Sequence, residues 1–163
     1  MNIQENMIFD MMAFFDEQFD VVDFKNAVEE NVDEEFYITE DKKPKWVYLK
    51  GAKKIPRKIK DGHEYVFSEG LVAFHDPWDK SGRTMLTSES ILNRSTHVLT
   101  NPGTGRLRLI TLVEAEKMQG FDDNWVASGM PKRMRYFCMG NALVVPMVTR
   151  MGEILDNIII NEP

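Results

Sequence analysis

Residues 106–145 read RLRLITLVEAEKMQGFDDNWVASGMPKRMRYFCMGNALVV, and the fold is decided there. Thr111-x-x-Glu114 has the spacing of a capping box. The hydroxyl accepts from a first-turn amide, and the carboxylate returns to the amide of the cap. The box predicts a helix through Leu112–Gln119, stopped at Gly120, which can take the left-handed conformation that ends helices. Phe121 should then tuck back, with a turn starting at Asp122-Asp123-Asn124-Trp125. A last helix is predicted from about Leu143–Pro146, because proline is tolerated in a first turn. Leu143, Val144, Val145, Met147, Val148, Met151, Ile154, Leu155, Ile158 and Ile159 cover most of its surface. A helix this apolar is normally buried on several sides, and the chain has little left to cover it.

Upstream, Ile3, Met7, Met11, Phe14, Phe15 and Phe19 recur at helical spacing over residues 3–19. Ile8, Phe9 and Met12 widen that stripe, so this helix should bury more than half its circumference or dock on something outside the chain. A second amphipathic helix is predicted from Asp23 to Val32, with Phe24, Ala27, Val28 and Val32 on one side. Pro44 then disfavours helix. Residues 46–100 read as short strands, at Trp46–Leu49, Glu64–Phe67, Arg83–Thr87 and Thr96–Thr100. Gly51, Gly62, Gly70, Pro77 and Gly82 punctuate them as turns. A loop over Asn101–Gly105 leads into the deciding stretch, and no internal repeat occurs.

A length of 163 residues suits one domain or a small domain with an appendage. With 43% apolar residues the chain can build a core, which argues against wholesale disorder. No run approaches the ~20 apolar residues of a membrane span. The acidic N-terminus has no basic leader, so a signal peptide is not expected. A single cysteine excludes an internal disulfide framework and fits a cytoplasmic protein. The net charge of −6 hides a division. Residues 1–41 carry 13 acidic groups against Lys25, whereas residues 42–108 carry 14 basic groups against 6 acidic. A basic surface is the footprint expected of DNA binding, and equally of a solvated lysine-rich loop. The acidic segment would screen it or face a different partner.

Ordinary catalytic constellations are weak. Cys138, between Phe137 and Met139, reads as a packing cysteine with no base nearby to activate it. His63, His75 and His97 are scattered, with no accompanying zinc motif, so no metal site is expected. Gly103-Thr104-Gly105 is a turn, since no Lys-Ser/Thr helix follows it.

The order Arg108, Ile110, Thr111, Glu114, Gln119-Gly120-Phe121, and then Gly140-Asn141-Ala142 before an apolar helix, resembles the last two shared motifs of the cytosine-C5 DNA methyltransferases. Asp76, Pro77, Arg83, Thr84, Met85, Leu86, Thr87, Ser88, Glu89, Arg94 and His97 resemble the target-recognition region of one branch of that family. The resemblance spans about residues 24–160. Two departures are Leu112 and Asp122, both where the family commonly has proline.

The resemblance implies DNA contacts by Arg83, Thr84, Thr87, Arg94 and Arg106, with Thr84-Met85 at a backbone phosphate near the flipped nucleotide. Arg83 and Arg94 would read base edges or phosphates; the alternative is strand residues with solvated guanidinium groups. It also implies that Gly140, Asn141 and Ala142 lie beside the S-adenosyl-L-methionine and cytosine pocket. Glycine permits close approach there, and a helix start would offer free amides. The family's Phe-x-Gly-x-Gly, Pro-Cys-Gln, Glu-Asn-Val and Gln-x-Arg-x-Arg strings are absent from the 163 residues. No residue here is therefore assigned to catalysis.

The expected fold is α+β, part of an α/β enzyme. A small β-rich recognition module at residues 46–110 would sit between an acidic helical segment at 1–45 and C-terminal helices at 111–163. Those helices would complete a Rossmann-like methyltransferase domain. The expected role is DNA recognition as a subunit or piece of such an enzyme. Its partners would be double-stranded DNA and a chain carrying the cofactor and nucleophile motifs, or a second copy through exposed apolar helices. The alternative is a non-catalytic DNA-binding or interaction protein, a decayed remnant.

Overall fold

The computed structural model describes residues 24–89 and 91–161; the helix predicted over residues 3–19 lies outside them. In chain order the elements begin with α1 (Phe24–Ala27), a 3-10 turn at Glu34–Phe36, α2 (Lys43–Lys50), β1 (Lys53–Lys58) and β2 (Glu64–Glu69). They continue with β3 (Val98–Thr100), β4 (Leu107–Leu109), α3 (Leu112–Met118), α4 (Lys132–Asn141) and α5 (Val145–Asn161). The strands make two antiparallel ribbons, β1 with β2 and β3 with β4.

The deciding stretch folds as its capping chemistry dictates. Thr111 accepts from the Glu114 amide at 3.1 Å, and the Glu114 carboxylate accepts from the Thr111 amide at 2.7 Å. The helix ends at Gly120, whose φ of +80° is one that side-chain-bearing residues rarely adopt. Phe121 donates its amide to the Glu116 carbonyl and packs against the core. That core joins Phe24 of α1, Met85, Leu99 of β3, Ile110, Ala115 of α3, and Tyr136 and Met139 of α4.

Several expectations need correction. Trp46–Leu49 lies in helix, not strand. Pro44 stands in the first turn of α2, where its missing amide costs nothing, and Trp46 and Lys50, one turn apart, share the buried face. Of the helix predicted from Asp23 to Val32, only α1 forms among the described residues. Arg83–Thr87 enters no strand; His97 Nε2 lies 3.1 Å from the Arg83 carbonyl, where a partner strand would otherwise donate. Helix α4 was not anticipated. Finally, α5 starts where proline suggested but contains no buried residue. Met151, Leu155, Ile158 and Ile159 are each at least half exposed.

Candidate nucleic-acid interface

The motif cluster is a set of interlocked bonds. Arg108 and Glu114 are both fully buried and meet through two contacts, at 2.6 and 2.7 Å. Buried ions are tolerated only when their remaining polar capacity is met. Here the Glu114 carboxylate also accepts from the amides of Thr111 and Glu29, each at 2.7 Å. Arg108 donates to the Glu29 carbonyl at 3.0 Å, and the Thr111 hydroxyl donates to the Glu29 carboxylate at 2.6 Å. The cluster therefore ties the segment after α1 to β4 and α3.

Gln119 and Gly120 hold the other end. The Gln119 side-chain amide donates to the Met139 carbonyl at 3.0 Å, and the Gln119 backbone carbonyl accepts from the Val145 amide at 2.8 Å. A Cβ on Gly120 would stand 2.5 Å from Pro146 Cδ. This glycine thus serves both a left-handed turn and a tight seat for the start of α5.

Gly140 and Asn141 close α4; they do not open a helix, so the free amides expected there are not provided. Ala142 is the C-cap, its amide donating to the Met139 carbonyl. Gly140 approaches the chain's own backbone. A Cβ there would lie 2.6 Å from the Leu86 carbonyl oxygen and closer still to the Leu86–Thr87 peptide. Asn141 is exposed and donates to the Phe137 carbonyl at 2.9 Å. The last motif and the Arg83–Thr87 segment are in this way brought into direct contact.

Around that segment lies a polar network that the sequence did not reveal. Arg83 grips Asp76 at 2.5 and 3.1 Å, and Asp76 accepts from the Val98 amide at 3.0 Å. Burial alone would raise the Asp76 pKa, but these bonds hold the carboxyl below the ordinary range. His97 and Glu89 are fully buried; Nδ1 lies 3.0 Å from one carboxylate oxygen, and the His97 amide donates to the other at 2.6 Å. Lys50 donates to the Thr96 carbonyl at 2.6 Å, and burial pushes its pKa down to about 8. The resemblance named Asp76, Glu89 and His97 along one stretch without bringing them into contact, and no periodicity links residues so spaced.

The predicted DNA-facing arginines are engaged internally. Arg94 donates to the carbonyls of Leu49, Gly51 and Gly70, bridging the start of β1 to the end of β2. Arg106 pairs with Glu34 and lies over the Tyr37 ring. Thr84 and Thr87 are exposed. Cys138 is half-buried against the core, with Sγ 3.9 Å from Met130 Sδ.

Comparison with known proteins adds three findings. The family model described as C-5 cytosine-specific DNA methylase matches residues 11–157. The type II methyltransferase M.Sau3AI of Staphylococcus aureus is 53% identical over 131 residues, covering 80% of this chain and 31% of that protein. The chain thus spans under a third of that curated relative. Two solved structures share the fold at low identity. The Entamoeba histolytica methyltransferase EhMeth is 19% identical, with a TM-score of 0.56, covering 82% of this chain and 40% of its own. The S. pombe Dnmt2 methyltransferase is 17% identical, with a TM-score of 0.59, covering 91% and 46%.

Proposed function

This chain belongs to the C-5 cytosine-specific DNA methylase family, and from that premise we propose that it is the DNA-recognising C-terminal portion of a cytosine-C5 DNA methyltransferase. It would select the target sequence in double-stranded DNA and complete the cytosine pocket. The nucleophile and main cofactor loop would come from residues outside these 163, since none of the corresponding strings occurs here. In this reading residues 46–110 form the recognition module and 111–163 the closing helices, with residues 1–45 leading in. Work on DNA inside cells would place the protein in the cytoplasm.

One observation carries the reading. Gly140 of the last motif is seated on the Leu86–Thr87 backbone, which sets the segment that would read DNA directly against the helix that carries the last motif. The apolar side chains of α5 meanwhile face outward. A helix with that much uncovered apolar surface suits docking on a further layer of structure, here the rest of the methyltransferase domain.

S-adenosyl-L-methionine would supply the methyl group when bound. The residues present fit only an edge of its site. Gly140 is turned to the chain's own backbone, while Asn141 is exposed with its amide oxygen open to a donor. Asn141 and Ala142 would border the cofactor, and DNA would lie along the Arg83–Thr87 side. Target bases are extruded from the duplex for such chemistry. Rigid support for the exposed Thr84 and Thr87 is what this chain would add to that step.

The test is reconstitution. The chain is mixed with a methyltransferase chain bearing the Phe-x-Gly-x-Gly and Pro-Cys-Gln motifs, and methyl transfer to duplex DNA is followed with labelled S-adenosyl-L-methionine. Transfer is expected in the mixture and not with either chain alone. Transfer by this chain alone refutes the division of labour. Absence of both complex and transfer favours the remnant that binds DNA without catalysis.

A further inference from the structure

We propose that the β1–β2 ribbon, with α2 at its root, is the arm by which this chain grips the backbone of double-stranded DNA. The ligand rests on the methyltransferase reading above; the location rests on charge, exposure and anchoring.

From residue 42 to residue 60 the chain carries nine lysines and arginines and no acidic residue. Of these only Lys50 is buried. Lys43, Lys53 and Lys58 pair with Glu40, Glu69 and Glu64. Lys42, Lys45, Lys54, Arg57 and Lys60 enter no ion pair among the described residues. Their charge is available to a ligand, whereas Arg83, Arg94 and Arg106 are already bonded within the chain.

The register sorts the ribbon into two faces, because residues directly opposite in an antiparallel pair lie on the same side. Lys54, Pro56 and Lys58 stand across from Ser68, Val66 and Glu64, and all six are exposed. The opposite face sets Ile55 against Phe67 and stacks Arg57 over the Phe67 ring at 3.9 Å. The ribbon therefore offers one open face, on which Lys54 enters no ion pair and Lys58 is paired with Glu64, and one partly covered face from which Arg57 is exposed.

Neither strand makes a substantial contact with any other strand or helix. An isolated hairpin is marginal by itself, yet this one is fastened at its base. Arg94 donates to Gly51 before β1 and Gly70 after β2 and lies 3.6 Å from Glu69. The Val72 amide donates to the Lys50 carbonyl at 2.9 Å. A basic ribbon rooted at one end and open elsewhere is an arm. Phosphate contacts supply most non-specific DNA affinity, and a duplex major groove, about 12 Å wide, admits a two-stranded ribbon.

The experiment measures anisotropy of a fluorescent duplex of arbitrary sequence, titrated with the full 163-residue chain between about 50 and 200 mM salt. In the triple variant Lys54→Gln, Arg57→Gln, Lys60→Gln, affinity at low salt should fall at least tenfold. The log–log salt slope should shrink by about 0.9 for each phosphate that is no longer neutralised. Circular dichroism checks that the variant keeps its fold, and Arg133→Gln, on α4, should match the parent. A triple variant that binds like the parent at every salt concentration overturns the ribbon assignment alone. Polyglutamate competing as well as duplex overturns the choice of DNA as ligand. A parent chain that binds no duplex at any salt overturns the recognition reading and the ribbon together.

Discussion

Arg108 and Arg57 carry the same guanidinium under opposite conditions. Arg108 is fully buried, fixed on Glu114 by two hydrogen bonds and on the Glu29 carbonyl by a third. Arg57 lies exposed on a ribbon, held only by the Phe67 ring. In the motif cluster the charges are spent on the chain itself; on the ribbon Lys54 and Arg57 are exposed and enter no ion pair among the described residues. The lesson is that a residue's place in a shared motif does not make it the one that meets the ligand. In this chain the motif residues build a buried, hydrogen-bonded hub, and the unclaimed charge sits in a stretch no motif marks.

The sharpest way to break that contrast is to remove one partner of the hub. Arg108→Met would leave the Glu114 carboxylate buried with only the Thr111 and Glu29 amides donating to it. Breaking a buried pair from one side typically costs about 3–5 kcal/mol. Urea unfolding should show the loss directly. Arg57→Gln on the ribbon should stay within about 0.5 kcal/mol of the parent. Equal effects at the two positions would erase the distinction.

Lys50 lies where the two regions join, with α2 leading into β1 and its ammonium inside the His97 network. Burial lowers its pKa from 10.5 to about 8. The folded chain therefore loses this proton first. Between pH 8 and 10.5 the unfolded chain binds more protons, so stability rises with pH across that window. The stability difference between the parent and Lys50→Met should move in the parent's favour by up to about 3 kcal/mol as pH climbs through it. The Tyr136 phenol, pushed up by burial, is common to both chains and cancels. A pH-independent difference would mean that the ammonium is solvated.

How far the hub was legible follows from the range of the forces involved. The Thr111–Glu114 box and the Gly120 stop are local, set within one helical turn, and residue types alone exposed them. Helix α2 was misread because Trp46-Val47-Tyr48-Leu49 has strand composition, while the deciding contact, Lys50 on the Thr96 carbonyl, comes from residues far along the chain. Helix α4 escaped because its buried side, Tyr136 and Met139, is narrow and its first turn is all basic or apolar. The candidate site was least visible. That Arg94 braces a hairpin, and that Gly140 abuts Leu86–Thr87, are facts of tertiary contact. Resemblance named these residues without saying what they touch.

Gly140→Ala tests the seam between hub and recognition segment. The added methyl would meet backbone, not a flexible side chain, at Leu86 and Thr87. Overpacking of this kind costs about 1–3 kcal/mol. The predicted signature is a lower unfolding midpoint, with faster amide exchange along residues 84–87 than in the Arg108 cluster. A neutral substitution would show that the two pieces are not pressed together, and the rigid-support reading of Thr84 and Thr87 would lose its basis.

The smallest effect on stability is expected where the apolar surface is greatest. Leu155 is 57% exposed on α5, and Ile158 and Ile159 beside it are exposed as well. A solvent-facing leucine contributes little to its own fold, so Leu155→Glu should change unfolding by no more than about 0.5 kcal/mol. The same change should abolish pairing with a chain carrying the missing motifs, because a carboxylate would be forced into an apolar contact. If Leu155→Glu instead unfolds the isolated chain, α5 is covered at home. Its apolar face would then belong with the hub, leaving the ribbon as the one region built to face outward.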